Sequence, residues 1–133
     1  MAQRFDVAVG MLRRQDGALL MASRPIGKPY AGYWEFPGGK CESGEDAVQA
    51  LRRELIEELG ITVRETRFAW VLEHTYPHAD VRLHFHWVTD WDGTPRALEY
   101  QQLLWIGSDD AWPYPVLPAT VPLLDRVRRE GTA

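Results

Sequence analysis

The stretch from Asp46 to Leu59 constrains the fold of this chain more than any other. Val48, Leu51, Leu55 and Leu59 recur at helical spacing, and Gly60 follows as a helix-stopping residue. Asp46 and Gln49 are spaced as a capping box, so the helix is expected to open at Glu45–Asp46 and to end at Leu59. At about 100° per residue, with Glu54 at zero, Glu58 falls near 40° and Glu57 near −60°. The apolar residues fall between about 60° and 140°, beside that acidic sector, and form the stripe that must be buried. Three carboxylates on one side of a single turn repel one another. A hard divalent cation would remove the repulsion, and an all-oxygen donor set suits Mg²⁺, with Mn²⁺ as a substitute. A solvated acidic helix face is the plain alternative for a bare E-x-x-E-E.

The flanking sequence places this helix in a mixed α/β chain. Phe5, Val7, Val9 and Met11 alternate and predict a first strand over Phe5 to Met11. Gln15-Asp16-Gly17 reads as a turn, and Ala18 to Ser23 as a second strand. Arg24 to Gly39 is rich in proline and glycine and predicts a loop, with a short extended piece at Tyr33 to Phe36. The glycines of Phe36-Pro37-Gly38-Gly39-Lys40 let backbone approach a ligand closely. After Gly60, Thr66 to Tyr76 and Val81 to Trp91 predict an antiparallel pair joined through Pro77-His78-Ala79-Asp80. Asp92-Gly93 is a further turn, Leu103 to Ile106 a short strand, and Pro118 to Arg129 a last helix with Leu123, Leu124 and Val127 inward. Helices separated along such strands imply a sheet covered on both faces.

Composition decides which partners to expect. The chain has 133 residues and reads as one domain, 1–133, with no internal repeat or linker. A net charge of −4 argues against a polymeric nucleic-acid partner. No apolar run approaches the roughly 20 residues that span a bilayer, and the first residues do not read as a signal peptide. The single cysteine, Cys41, suits a reducing cytoplasm. The oligomeric state is not legible.

The run from Gly39 to Ile61 matches the Nudix box, G-x(5)-E-x(7)-R-E-U-x-E-E-x-G-U, where U is a bulky aliphatic residue. The match covers 23 positions and meets all nine specified ones: Gly39, Glu45, Arg53, Glu54, Leu55, Glu57, Glu58, Gly60 and Ile61. The chain therefore resembles the Nudix hydrolases. With E-F-P-G-G-K-x-E-x-G-E, Tyr76-Pro77 and Trp91-x-Gly93-x-Pro95, it resembles their MutT branch from near its start to its last helix. The resemblance implies an α/β/α sandwich around a mixed β-sheet. It implies hydrolysis of a nucleoside triphosphate to monophosphate and pyrophosphate, with the sanitising of oxidised nucleotides such as 8-oxo-dGTP one form of that activity. Nucleoside diphosphate-linked substrates (ADP-ribose, a nucleotide sugar, a dinucleoside polyphosphate) and a non-catalytic nucleotide sensor are the alternatives.

It also implies site roles. Glu54, Glu57 and Glu58 match the metal-binding glutamates, with the Gly38 carbonyl as a further ligand. Glu54 and Glu57 are candidates for the general base. Arg53 is grouped with the catalytic residues, although its expected ion pair with Glu45 reads as mainly architectural. Arg24 aligns with a phosphate-contacting arginine, Phe36 stands at a position beside the base, and Lys40 lies in the glycine loop within reach of phosphate. Trp34 and Tyr33 read as packing residues, with base stacking as the alternative. His84 and His86 share one expected strand face with Arg82, and no third soft ligand for zinc is apparent.

Two departures bear on specificity. Thr120 stands where MutT proteins read oxidised guanine with an asparagine, and one hydroxyl cannot reproduce a bidentate base contact. Leu104, just before Trp105, stands where many relatives carry a glutamate. Glu99 is near in sequence, but the loop leaves its alignment open.

Overall fold

The computed structural model describes residues 3–131; the outermost residues of the expected 1–133 domain lie outside the described residues. Seven strands and two α-helices follow in the order β1 (Gln3–Leu12), β2 (Leu19–Ser23), β3 (Trp34–Glu35), β4 (Gly38–Lys40), α1 (Ala47–Leu59), β5 (Thr62–Tyr76), β6 (Ala79–Asp92), β7 (Leu103–Ile106) and α2 (Leu124–Gly131). The larger sheet has the order β4-β1-β6-β5. It is mixed, because β1 runs parallel to β6 while β1–β4 and β5–β6 are antiparallel. The smaller sheet, β3-β2-β7, is antiparallel.

Strand alternation explains the layers. Ala8 and Leu12 of β1, with Leu20 and Val88, face Leu51, Leu55 and Leu59 of α1. Val9 and Met11, with Met21, Phe85 and Trp87, face the opposite way, toward Leu123 and Val127. The two helices thus cover opposite faces of the strands, and the fold is an α/β/α sandwich. The first strand alternates only weakly in sequence because both of its faces are buried.

The capping reading of α1 is met in detail. The Gln49 amide donates to Asp46 Oδ1 at 2.8 Å, and the Asp46 amide donates to Gln49 Oε1 at 2.9 Å. Gly60 closes the helix at φ 70°. In the apolar stripe, Leu51, Leu55 and Leu59 are buried with Ala50, while Val48 is only half-buried.

Other expectations are corrected. Gly38–Lys40 is a strand rather than loop, held by pairing of Val7 with Lys40 and Val9 with Gly38. The turn between β5 and β6 is only Pro77-His78, because Tyr76 already pairs with Ala79. β5 begins at Thr62, four residues before the expected start, through a stretch of register shifts. The last helix is also shorter than expected. A 3₁₀ turn, Val121–Leu123, precedes α2, and Pro122 within it has no amide to donate. Leu123 and Val127 are buried as expected, and Leu124 packs half-buried against the same core.

Candidate active site

A cleft of about 390 Å³ opens where β1, β4 and α1 meet the loop after β2. Its acidic end is formed by Glu54 and Glu58 of α1, Glu35 of β3 and Glu99 of the segment before β7. Basic and aromatic groups (Arg24, Lys28, Tyr30, Phe36, Tyr76 and His78) line other parts of the wall, and Thr120 also borders the cleft.

Two glycines bring the β4 backbone against these acids. A Cβ on Gly38, whose φ is 155°, would fall 1.9 Å from the Ala8 carbonyl oxygen. One on Gly39 would fall 2.4 Å from the Glu54 carboxyl carbon. Backbone leaves no room for a side chain at Gly38, and a side chain at Gly39 would push the Glu54 carboxylate out of its place.

Arg53 organises the helix side. Its Nε donates to Glu45 Oε2 at 2.8 Å, and its Nη2 donates to Glu45 Oε1 at 2.9 Å, a bidentate pair. The same guanidinium donates to Glu54 at 2.9 Å, Glu57 at 3.3 Å and the Lys40 carbonyl at 3.1 Å. Arg53 therefore ties the start of α1, the β4 backbone and two acidic residues together. This pairing holds the Glu45 carboxyl down at about 2.

Charge crowding has the opposite effect inside the cleft. Enclosure, then the neighbouring carboxylates Glu54, Glu35 and Glu99, push Glu58 up to about 9. Glu54 beside it is also raised by enclosure, so the two carboxyls titrate as a pair. Glu35 is also raised by enclosure, against the Arg24 guanidinium 3.3 Å away.

The all-oxygen donor set and its excess of negative charge fit a hard divalent cation. Among the described residues, however, no three acidic, imidazole or thiol groups converge closely enough to hold an ion as the side chains stand. Glu57 explains the shortfall. It does not line the cleft; its half-exposed carboxylate is turned onto Arg53. The structure therefore brings together Glu54, Glu58 and Gly38, and leaves Glu57 outside the cleft lining on Arg53.

The remaining expected residues are distributed as follows. Arg24 lines the cleft, with Nε donating to the Pro29 carbonyl at 2.6 Å and Nη1 to both Glu35 oxygens at 3.3 Å. Phe36 is buried against Trp112 and lines the cleft. Lys40 also lines it, but its ammonium sits 3.9 Å from the Phe5 ring centroid. Thr120 is 5% exposed. Tyr33 and Trp34 are packing residues against the α2-side core, outside the cleft lining. His84 donates from Nε2 to Asp6 at 2.9 Å, whereas His86 is buried beside Phe68. Cys41 is a free thiol pushed up by burial.

Glu35, Glu99, Gln101 and Tyr76 were not singled out as site residues by sequence reasoning. Glu35 stands in the E-F-P-G-G run and was the most findable. Glu99 reaches the acidic end because Gln101, two residues further on, donates from Nε2 to the Glu58 carbonyl at 3.1 Å and accepts the Glu99 amide at 2.8 Å. That bridge is long-range and has no local sequence signature.

Sandwich and acid-floored cleft together define a hydrolase built on a loop–helix motif, and comparison with known proteins gives the family. The model of the NUDIX domain matches residues 3–127. The CTP pyrophosphohydrolase of Escherichia coli (strain K12) is 40% identical over 121 residues, 91% of this chain and 89% of that one. The 8-oxo-dGTP diphosphatase of Haemophilus influenzae is 35% identical over 128 residues, 95% of this chain and 93% of that one. A MutT structure from work on the Aliivibrio salmonicida and Vibrio cholerae proteins superposes with a TM-score of 0.81 at 34% identity, covering 96% of this chain and 99% of that one. The chain belongs to the Nudix family, in its MutT-like branch, and is a Nudix hydrolase.

Proposed function

We propose that this protein hydrolyses a nucleoside triphosphate to the monophosphate and pyrophosphate, and that it takes cytidine triphosphates in preference to 8-oxo-dGTP. The observation that carries the reaction is the crowding of Glu54, Glu58, Glu35 and Glu99 beside the Gly38–Gly39 backbone, in a cleft that basic and aromatic groups also line. The preference rests on Thr120, a single hydroxyl bordering the cleft where two base contacts would be needed for oxidised guanine. The names of the relatives, one acting on CTP and others on 8-oxo-dGTP, span both choices.

Glu54, Glu58, the Gly38 carbonyl and a rotated Glu57 would hold Mg²⁺ or Mn²⁺. A bound ion there would polarise a phosphorus and lower the pKa of an attacking water. The protein's own part is orientation and proton handling. Glu54 and Glu58 would hold the ion as carboxylates, with the Glu58 proton lost to bulk water. Glu54 or Glu57 accepts the proton of the attacking water. Arg53 touches both and acts as a positioning residue, with Glu45 holding it bidentately. Arg24, Lys40 and Phe36 are assigned to the substrate side of the cleft.

The test is product analysis across CTP, dCTP, dGTP, 8-oxo-dGTP and ADP-ribose with Mg²⁺. The expected result is pyrophosphate and monophosphate from the triphosphates, fastest with the cytidine forms. AMP and ribose phosphate from ADP-ribose, with triphosphates untouched, would overturn the reaction. Faster turnover of 8-oxo-dGTP than of CTP would overturn the preference alone.

A further inference from the structure

Three cationic side chains line the cleft, and two are already engaged. Arg24 is spent on Glu35 and the Pro29 carbonyl, and Lys40 is drawn onto the Phe5 ring. Lys28 is exposed, and no hydrogen bond, ion pair or ring contact holds its ammonium among the described residues. Its presentation is nevertheless built. The Lys28 amide donates to the Pro25 carbonyl at 3.3 Å, closing a four-residue turn with Gly27 at φ 95° in its third position. Pro29 follows, and its carbonyl is clamped by Arg24 Nε at 2.6 Å. Beyond it, the Tyr30 ring packs on Tyr33 and Tyr76, both at centroid distances of 5.3 Å. The turn is thus pinned on its carboxyl side by an arginine and an aromatic cluster. The field of Lys28 reaches Glu35 at the acidic end of the cleft.

We propose that Lys28 is a substrate-binding residue that contacts the phosphate chain of the nucleotide, a role the Nudix box does not assign. The inference rests on the reading that this cleft takes a nucleoside triphosphate. A polyphosphate keeps net negative charge after one divalent ion has bound it, and an uncommitted ammonium on the cleft wall is the complementary group. Lys28 lies outside the acidic set, so it contributes to binding in the ground and transition states alike. Its loss therefore appears in KM rather than in kcat.

The experiment compares wild type, Lys28→Ala and Lys28→Arg with CTP as substrate, by pyrophosphate release at two ionic strengths. CTP binding is measured in parallel by calorimetry on wild type and both variants with Ca²⁺ in place of Mg²⁺ to slow turnover. Lys28→Ala should raise KM and the dissociation constant roughly tenfold, leave kcat within about twofold, and flatten the salt dependence of KM. Lys28→Arg should restore most of the affinity. Unchanged KM and affinity in Lys28→Ala would overturn the assignment, as would a fall in kcat alone. If CTP binds without being hydrolysed by the wild type, the proposed reaction fails while the affinity ratio still decides the role of Lys28. If CTP neither binds nor reacts, both fail.

Discussion

Glu58 is the residue whose chemistry most depends on its surroundings. Its carboxyl sits near 9 in the folded, metal-free protein against an ordinary value of 4.5, so folding favours its neutral form. The sign follows from linkage. The contribution of Glu58 to stability is fully present below about 4.5 and is lost as pH rises toward 9. Glu45 behaves oppositely: held at about 2, it stabilises above its ordinary value and loses that contribution as pH falls through 2. Between pH 6 and pH 8.5 only the Glu58 effect changes appreciably of these two. Chemical denaturation in EDTA should show the wild type losing about 1–2 kcal/mol over that interval relative to Glu58→Gln, after allowance for partial exposure. Equal pH dependence in the two proteins would contradict the crowded-carboxylate description. Glu58→Gln and Glu57→Gln should each lose roughly a hundredfold or more in turnover while remaining folded, as judged by pyrophosphate release and circular dichroism. Near-normal activity in both would remove the acidic set from the reaction.

At the scale of elements, α1 and its preceding strand form one device. The helix was legible in sequence because its signals are local: the Asp46–Gln49 box, the apolar stripe and Gly60. The Arg53–Glu45 pair, which the family resemblance implied, is present bidentately. Strand β4 was not legible, since its identity comes from pairing with β1 and its glycines read as loop. The 3₁₀ opening of the last helix was missed although Pro122, fifth in the expected Pro118 to Arg129 helix, lacks the amide an α-helix would use there. Glu57 shows the limit of a helical wheel, which places a side chain on a sector but does not say which partner captures it. Asp46→Ala should cost about 1 kcal/mol in urea denaturation by removing the cap. Gly39→Ala should lower activity rather than stability, because its Cβ would displace the Glu54 carboxylate from the cleft. An active Gly39→Ala enzyme with an unchanged metal requirement would mean that β4 need not approach Glu54 so closely.

For the whole molecule, the acidity that argues against a polymeric nucleic-acid partner has a position. Much of it that matters faces one cleft, between a sheet that supplies Glu35 and a helix that supplies Glu54 and Glu58. The opposite core, under α2, brings Thr120 and Tyr76 to the same cleft, with the Tyr76 hydroxyl accepting the Ala119 amide at 3.2 Å. The two layers therefore meet at the site, one with carboxylates and one with Thr120 and Tyr76. Sequence reasoning saw the first layer, because the Nudix box is contiguous. It named Thr120 from the second layer but not Tyr76, and it left Glu35 and Glu99 out of the first, because these residues come from separate segments that only the fold brings together. No described helix is long and apolar enough to cross a membrane.

The central claim is that the acidic cleft hydrolyses a nucleoside triphosphate only when a divalent cation has joined it. Pyrophosphate release from CTP as a function of free Mg²⁺, for wild type and Glu58→Gln, tests it most directly. The account predicts no release in EDTA, saturable activation of the wild type by Mg²⁺, and a Glu58→Gln enzyme that stays near the EDTA baseline at the same Mg²⁺. Release that is independent of Mg²⁺, or a Glu58→Gln curve that overlays the wild type, would contradict it.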